Sequence, residues 1–263
     1  MNILEEIIAH KRIEVAAKKK IITQDSLEKY EYFKASRPSF YNALSAPGPS
    51  IIGEFKRMSP SKGIINSFVE IGQVARGYEA AGLSAMSILT DIEFFGGDEN
   101  DLQEVAAYSS LPLLRKDFTV DEYQIIEAKA IGASAILLIA AVLTKKEINK
   151  FTNLADSLGL DVLCEIHDPS ELEKLCPKNN ILGINNRNLK TFAMDIGHSQ
   201  DLIRSLPESS LKVAESGLSD QEEVKLLYET GFDAFLIGEN FMRNQDPGKT
   251  AEKFVKGLKQ IIK

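Results

Sequence analysis

Eight short runs of apolar and β-branched residues recur along the chain: Ile51 to Phe55, Met86 to Leu89, Leu111 to Leu114, Ala135 to Ala141, Val162 to Ile166, Ile181 to Ile184, Leu211 to Ala214 and Ala234 to Ile237. Such near-continuous apolarity belongs to strands covered on both faces, as in parallel sheets, and the stretches between them carry helical spacing. Thr144 with Glu147, Asp168 with Pro169 and Glu171, and Ser219 with Glu222 read as helix starts, because each pairs a capping oxygen with a carboxylate three residues on. Gly82, Gly132, Gly159 and Gly231 follow periodic segments where a left-handed residue ends a helix.

Strand, cap, helix and glycine, repeated eight times, is the pattern of an α/β protein of the closed (β/α)8 (TIM) barrel class. An open doubly wound sheet would more often carry a Gly-x-Gly-x-x-Gly turn after its first strand, and none occurs. The 263 residues suit one such barrel, so the expectation is a single domain over 1–263, with an N-terminal helical extension over 1–49 and the barrel over 50–263. Leu4, Ile7, Ile8 and Val15 give the extension its helical stripe, and Pro47-Gly48-Pro49 breaks it off before the first strand. Lys18 to Lys20 read as a solvated helix end.

Composition narrows the function classes. A net charge of −7 offers no basic field for a nucleic acid or an anionic membrane, and no apolar run approaches the ~20 residues of a membrane span. Charges at Glu5, Glu6, Lys11 and Arg12 stand where a signal peptide needs an apolar core, so cytoplasmic residence is expected. Cys164 and Cys176 with three scattered histidines support neither zinc nor a disulfide framework, and Cys164 reads as a small buried strand residue. No interface stripe stands out; a monomer is favoured.

In this barrel class active sites form at the C-terminal ends of the strands. Charged or polar groups there are Glu54 and Lys56, Lys116, Glu165, Asn185 and Glu215. Glu54 and Lys56 are two apart and therefore face the same side, with Ile52, toward the barrel interior; a structural salt bridge is the competing reading. Lys116 directly follows Leu113 and Leu114, and a lysine aimed into a barrel top must be paired or have its pKa lowered. Glu165 interrupts an apolar run, where desolvation would raise its pKa toward the working range of an acid–base catalyst. Ser216-Gly217 and Gly238 end the last two strands, at the position where such barrels bind phosphate. Ser59-Pro60-Ser61-Lys62-Gly63 forms a βα loop whose Ser59 and Lys62 could also reach a phosphate.

These residues resemble the indole-3-glycerol phosphate synthases. The likeness runs from the N-terminal helix to the last barrel helix. Its most specific pieces are the segment from Glu54 to Gly63, Leu89-Thr90-Asp91 with Phe94 to Gly97, and Leu114 to Phe118. Glu165 to Asp168, Gly183 to Leu189, Ala214 to Gly217 and Ile237 to Glu239 complete the set. Two positions depart from the family's pattern: Gly53, where alanine is common, and Asp98, where serine often follows the glycine pair.

The resemblance implies closure of 1-(2-carboxyphenylamino)-1-deoxyribulose 5-phosphate to indole-3-glycerol phosphate, with loss of carbon dioxide and water, in tryptophan biosynthesis. No cofactor or metal is expected. It further implies that Lys116 is the general acid of ring closure, that Glu165 is its acid–base partner, and that Lys56 holds the substrate carboxylate and assists dehydration, with the division of the acid and base steps between the two lysines left open by the sequence. Glu54, Asn185 and Glu215 would orient hydroxyls and the anilino nitrogen. Phosphate would meet Ser59, Ser216, Gly217, Gly238 and Glu239. Phe95, Phe118, Leu138 and Ile237 would wall the anthranilate ring, with Arg187 a further substrate contact. A sibling phosphate-binding barrel, isomerase or Schiff-base aldolase, is the alternative, although the isomerase would call for a Cys and Asp pair. A barrel that has lost catalysis and serves as a scaffold is a third reading.

Overall fold

The structure is a computed structural model that describes residues 2–186, 197 and 201–262. Eight strands close into a parallel barrel: β1 (Ser50–Phe55), β2 (Ala85–Leu89), β3 (Leu113–Lys116), β4 (Ala135–Ile139), β5 (Asp161–Ile166), β6 (Ile181–Asn185), β7 (Leu211–Glu215) and β8 (Ala234–Ile237). Each pairs with its neighbours in sequence, and β1 meets β8 through Ser50↔Ala234 to Gly53↔Ile237, which closes the ring. All eight expected runs are strands.

Alternation along the strands divides the apolar residues between two cores. Ile52, Leu114, Leu137, Ile139, Leu163, Val213 and Leu236 fill the interior, whereas Ile136, Leu138, Cys164, Leu182 and Ala214 face the helices. Below the interior, the short helix Phe40–Leu44 inserts Phe40 and Leu44 as a plug. Its cap Ser39 donates to Asp161 Oδ2 at 3.0 Å, fixing the plug to the N-terminal end of β5.

The outer helices are α1 (Ile3–Ile21), α2 (Ile71–Ala80), α3 (Glu99–Ala106), α4 (Glu122–Ala130), α5 (Lys145–Ser157), α6 (Gln221–Glu229) and α7 (Pro247–Ile261). Thr144 and Glu147 form the expected capping box on α5. At α6 the box starts one residue later than expected, with Asp220 and Glu223: the Glu223 carboxylate folds back to the backbone of both Ser219 and Asp220, so the overlapping Ser219–Glu222 register loses. Asp168 caps a short 3-10 turn, Pro169–Lys174, by accepting from Ser170 N, and the Glu171 carboxylate accepts from the His167 backbone N–H at 2.8 Å in place of the Asp168 N–H of a capping box. Gly82, Gly132, Gly159 and Gly231 all lie in the left-handed region, as expected. Among the described residues no helix is long and apolar enough to cross a membrane.

Helix α1 is attached to the barrel by charge as well as by Ile7 and Val15. Lys11 is fully buried, with Nζ 2.9 Å from Asp91, 3.1 Å from Asp117 and 3.0 Å from Glu14. Lys18 bridges Glu99 and Glu127, and Lys19 pairs with Asp121 at 2.9 Å. The reading of Lys18 to Lys20 as a solvated end therefore holds for Lys20 and for Lys19, which stays exposed beside Asp121, and fails for Lys18, which is half-buried between Glu99 and Glu127.

Candidate active site

A cavity of about 550 Å³ opens at the C-terminal ends of the strands. Glu54, Lys56, Lys116, Glu165, Asn185 and Glu215 all line it, together with Ser59, Phe95, Phe118, Ser216, Gly217, Ile237, Gly238 and Glu239. Two expected residues are not brought there. Leu138 points outward: Ile139 is in register with the inward Glu165, and Leu138 with the outward Cys164, so the ring-facing residues of β4 are Leu137 and Ile139. Arg187 lies outside the described residues.

At the centre stands Lys116, at the end of β3. Its ammonium lies 3.3 Å from Glu215 Oε2 on β7 and 3.6 Å from Glu165 Oε2 on β5, so three strands meet at one charge cluster. Lysine in a barrel top has resolved to pairing. Burial would lower its pKa, but the carboxylates of Glu215, Glu165 and Glu54 outweigh this and raise it, keeping the ammonium form. The two carboxylates are driven apart. Burial pushes Glu165 up, yet Lys116, then His167 and Asn185, hold it at about 2, contrary to the expected rise. Glu215 is pushed up to about 8, chiefly by burial, with Lys116 opposing and the neighbouring Glu165 adding to the rise. One cation sustains one buried carboxylate, and the second retains its proton.

Glu54 and Lys56 face the same cavity as the alternation of β1 requires, with Lys56 Nζ 2.5 Å from Glu54 Oε1. Two glycines make room for these side chains. A Cβ at Gly183 would collide with Glu215 Oε1, and one at Gly238 would come within 2.5 Å of Glu54 Oε1. Gly238 thus serves the carboxylate beneath it as well as the turn expected to face phosphate.

On the β7–β8 side, Ser216 at φ 69 and Gly217 at φ 75 reverse the chain immediately after Glu215. A left-handed serine costs about 1–2 kcal/mol and is held here by its surroundings, with Asn186 Nδ2 donating to Ser216 O at 2.8 Å. The Ser59 to Lys62 loop folds as a small hairpin, with Met58–Ser59 pairing Gly63–Ile64. Sequence reasoning missed Arg243, which lies past the last strand, where no motif marks it; it lines the cavity near Lys62, and both approach the Glu239 carboxylate, at 3.2 and 4.0 Å. Phe95 and Phe118 form a tilted aromatic pair 5.9 Å apart between their centroids. Both walls rest on the Lys11 cluster, because Asp91 caps Phe94 N at 2.8 Å and Asp117 accepts from Phe118 N at 2.8 Å. Among the described residues no cluster of His, Cys, Asp and Glu is disposed to hold a metal ion.

A family model described as indole-3-glycerol phosphate synthase matches residues 4–254. The chain is 45% identical over 258 residues to the indole-3-glycerol phosphate synthase of Bacteroides thetaiotaomicron, covering 98% of this chain and 99% of that one. It is 46% identical over 258 residues to that of Thermoanaerobacter pseudethanolicus, covering 98% of each. In structure it resembles the tryptophan synthase of Pyrococcus furiosus, with a TM-score of 0.58 at 15% identity over 81% of this chain and 98% of that one, which is a likeness of fold alone.

Proposed function

The chain belongs to the indole-3-glycerol phosphate synthase family, and from that premise we propose how its cavity closes the indole ring. The enzyme is a carboxy-lyase of tryptophan biosynthesis acting on a phosphorylated small molecule, 1-(2-carboxyphenylamino)-1-deoxyribulose 5-phosphate. In our reading the ring carbon bearing the carboxylate attacks the ribulose carbonyl carbon. The carbonyl π bond opens and its oxygen takes a proton from the Lys116 ammonium. The bond to the carboxylate then breaks, its electrons restore the aromatic ring, and carbon dioxide leaves. Dehydration follows: a base removes a proton from the carbon next to nitrogen, and the new hydroxyl departs as water with a proton from an acid.

Glu165 is the base of that last step, since it is ionised at neutral pH, and Lys116 and Glu215 are the groups still holding protons. Lys56, backed by Glu54, holds the substrate carboxylate until it is lost. Glu54, Asn185 and Glu215 orient hydroxyls and the anilino nitrogen. The anthranilate ring lies against Phe95, Phe118, Leu137, Ile139 and Ile237, and the phosphate against Ser59, Ser216-Gly217 and Gly238-Glu239, where Lys62 and Arg243 supply the opposing charge. The whole chain acts as one domain, monomeric and cytoplasmic, with residues 1–49 as a helical extension on the barrel.

The observation that carries the mechanism is the Lys116 ammonium set between the Glu165 and Glu215 carboxyl groups, inside a cavity with apolar walls at one side and glycine turns at the other. The test is indole fluorescence on mixing the full chain with the substrate in metal-free buffer; the chain has no tryptophan, so the background is low. Signal growth is expected in wild type and its loss in Lys116→Ala. A folded Lys116→Ala protein with near-normal turnover would remove Lys116 from the acid role.

A further inference from the structure

The cavity residues alone do not explain how Glu165 is aimed. A glutamate carboxylate turns broadly about its last torsion unless something holds it. Here the two oxygens have different partners: Oε2 faces Lys116, while Oε1 meets His167 Nε2 at 3.0 Å and Asn185 Nδ2 at 3.3 Å. Oε1 thus has the Asn185 amide as its hydrogen-bond donor and the His167 ring nitrogen at ion-pair distance, which hold the carboxylate and leave the other oxygen for the reacting proton.

His167 is well placed for this. It follows Glu165 by two residues and so returns to the same side of the chain just past the end of β5. It does not line the cavity, its side chain is 16% exposed, and its backbone is pinned by the Glu171 carboxylate. Among the described residues, the charged groups acting on its ring are Glu165 beside it, Glu171 from the following 3-10 turn and Glu215 from β7; Lys116 on β3 lies across Glu165. Burial disfavours the imidazolium, but the bond to Glu165 and the charges of these carboxylates outweigh it and raise the His167 pKa. The 3.0 Å contact to Oε1 is open to both the imidazolium and the neutral Nε2–H tautomer; only the first adds charge.

We infer that His167 is a positioning residue for the reaction: it holds Glu165 Oε1, so that Oε2 is presented to the substrate, and it sets a cation beside that carboxylate. The inference rests on the proposed role of Glu165 as base. The tests are kcat, KM and the pH profile of kcat/KM for His167→Ala and His167→Gln, with Glu165→Gln and the Glu165→Gln/His167→Ala double variant measured alongside. Gln places an amide nitrogen where Nε2 stood but does not titrate.

His167→Ala is expected to lose about 10- to 100-fold in kcat, part of the roughly 10²–10⁴ that a general base supplies, at a KM within about twofold of wild type. His167→Gln recovers most of that loss. In both variants the acid limb moves up by about one pH unit, because the neighbouring cation is gone. In the Glu165→Gln background His167→Ala costs nothing further, since it acts through the carboxylate.

Folded His167→Ala with wild-type kcat and an unmoved acid limb overturns the inference, as does a loss confined to KM or full additivity in the double variant. Should His167→Ala fail to fold, the acid limb of His167→Gln decides alone: displaced, it supports the role; unmoved, it ends it. Normal turnover by Glu165→Gln is the separate result that defeats the assignment of Glu165 and the inference with it.

Discussion

Replacing Lys11 by methionine keeps the length and apolar stem of the side chain and removes only its charge. Two carboxylates then lose a partner in a site without water access, Asp91 and Asp117 being essentially buried. Asp117 retains Arg115, the Thr90 hydroxyl and the Phe118 N–H, whereas Asp91 keeps the Phe94 N–H. Most of the loss therefore falls on Asp91. Removing one partner of a buried ion pair costs about 3–5 kcal/mol, which for a chain of this size lowers Tm by about 6–10 °C at roughly 2 °C per kcal/mol.

The loss has a pH signature. Burial would raise the Asp117 carboxyl, but Lys11 first and Arg115 second hold it below its ordinary range. A carboxyl depressed in the folded state adds stability above its unfolded pKa, and this is lost as pH falls through the folded value. Lys11→Met weakens that depression, so the gap between the two should hold from about pH 7.5 down to about pH 4 and narrow only below it, where wild type loses more as the pH falls from the ordinary aspartate value toward the folded one. The assay is thermal unfolding followed by far-ultraviolet circular dichroism. Adding Asp91→Asn, which keeps the capping oxygen but not the charge, should restore more than about 1 kcal/mol. A Tm within about 2 °C of wild type, below even 1 kcal/mol, or no recovery on adding Asp91→Asn, would refute the reasoning.

Other expectations follow from the site. Glu165→Gln should lower kcat by about 10²–10⁴ while changing KM little, read by steady-state indole fluorescence; an effect on KM alone would make Glu165 a binding residue. Wild-type kcat/KM should fall as pH rises through about 8, as Glu215 gives up its proton, and Glu215→Gln should lack that limb. Gly183→Ala should displace Glu215 and lower kcat with the fold retained, as seen by circular dichroism. Gly53→Ala, although toward the residue common in the family, should destabilise by about 1–3 kcal/mol in urea unfolding, because its Cβ would lie 2.5 Å from both Leu83 and Tyr78.

The sequence by itself determined the strands, the helix-ending glycines and the central charged cluster of the cavity, because these follow from local rules: alternation, spacing, and the end of the strand on which a residue falls. Glu54 and Lys56 share a cavity for that reason alone. Leu138 was misjudged because the inward parity of β4 depends on its register with Glu165, which no local pattern contains. Lys11 gave no sign of burial, since on a helical wheel it is one more polar residue; its partners lie some eighty and more than one hundred positions away, at Asp91 and Asp117. The depressed Glu165 and the proton-holding Glu215 likewise arise only when β3, β5 and β7 converge on one ammonium. Local chemistry chose the elements and most of the side chains, and tertiary contact decided which charges share a site and therefore which of them keep their protons.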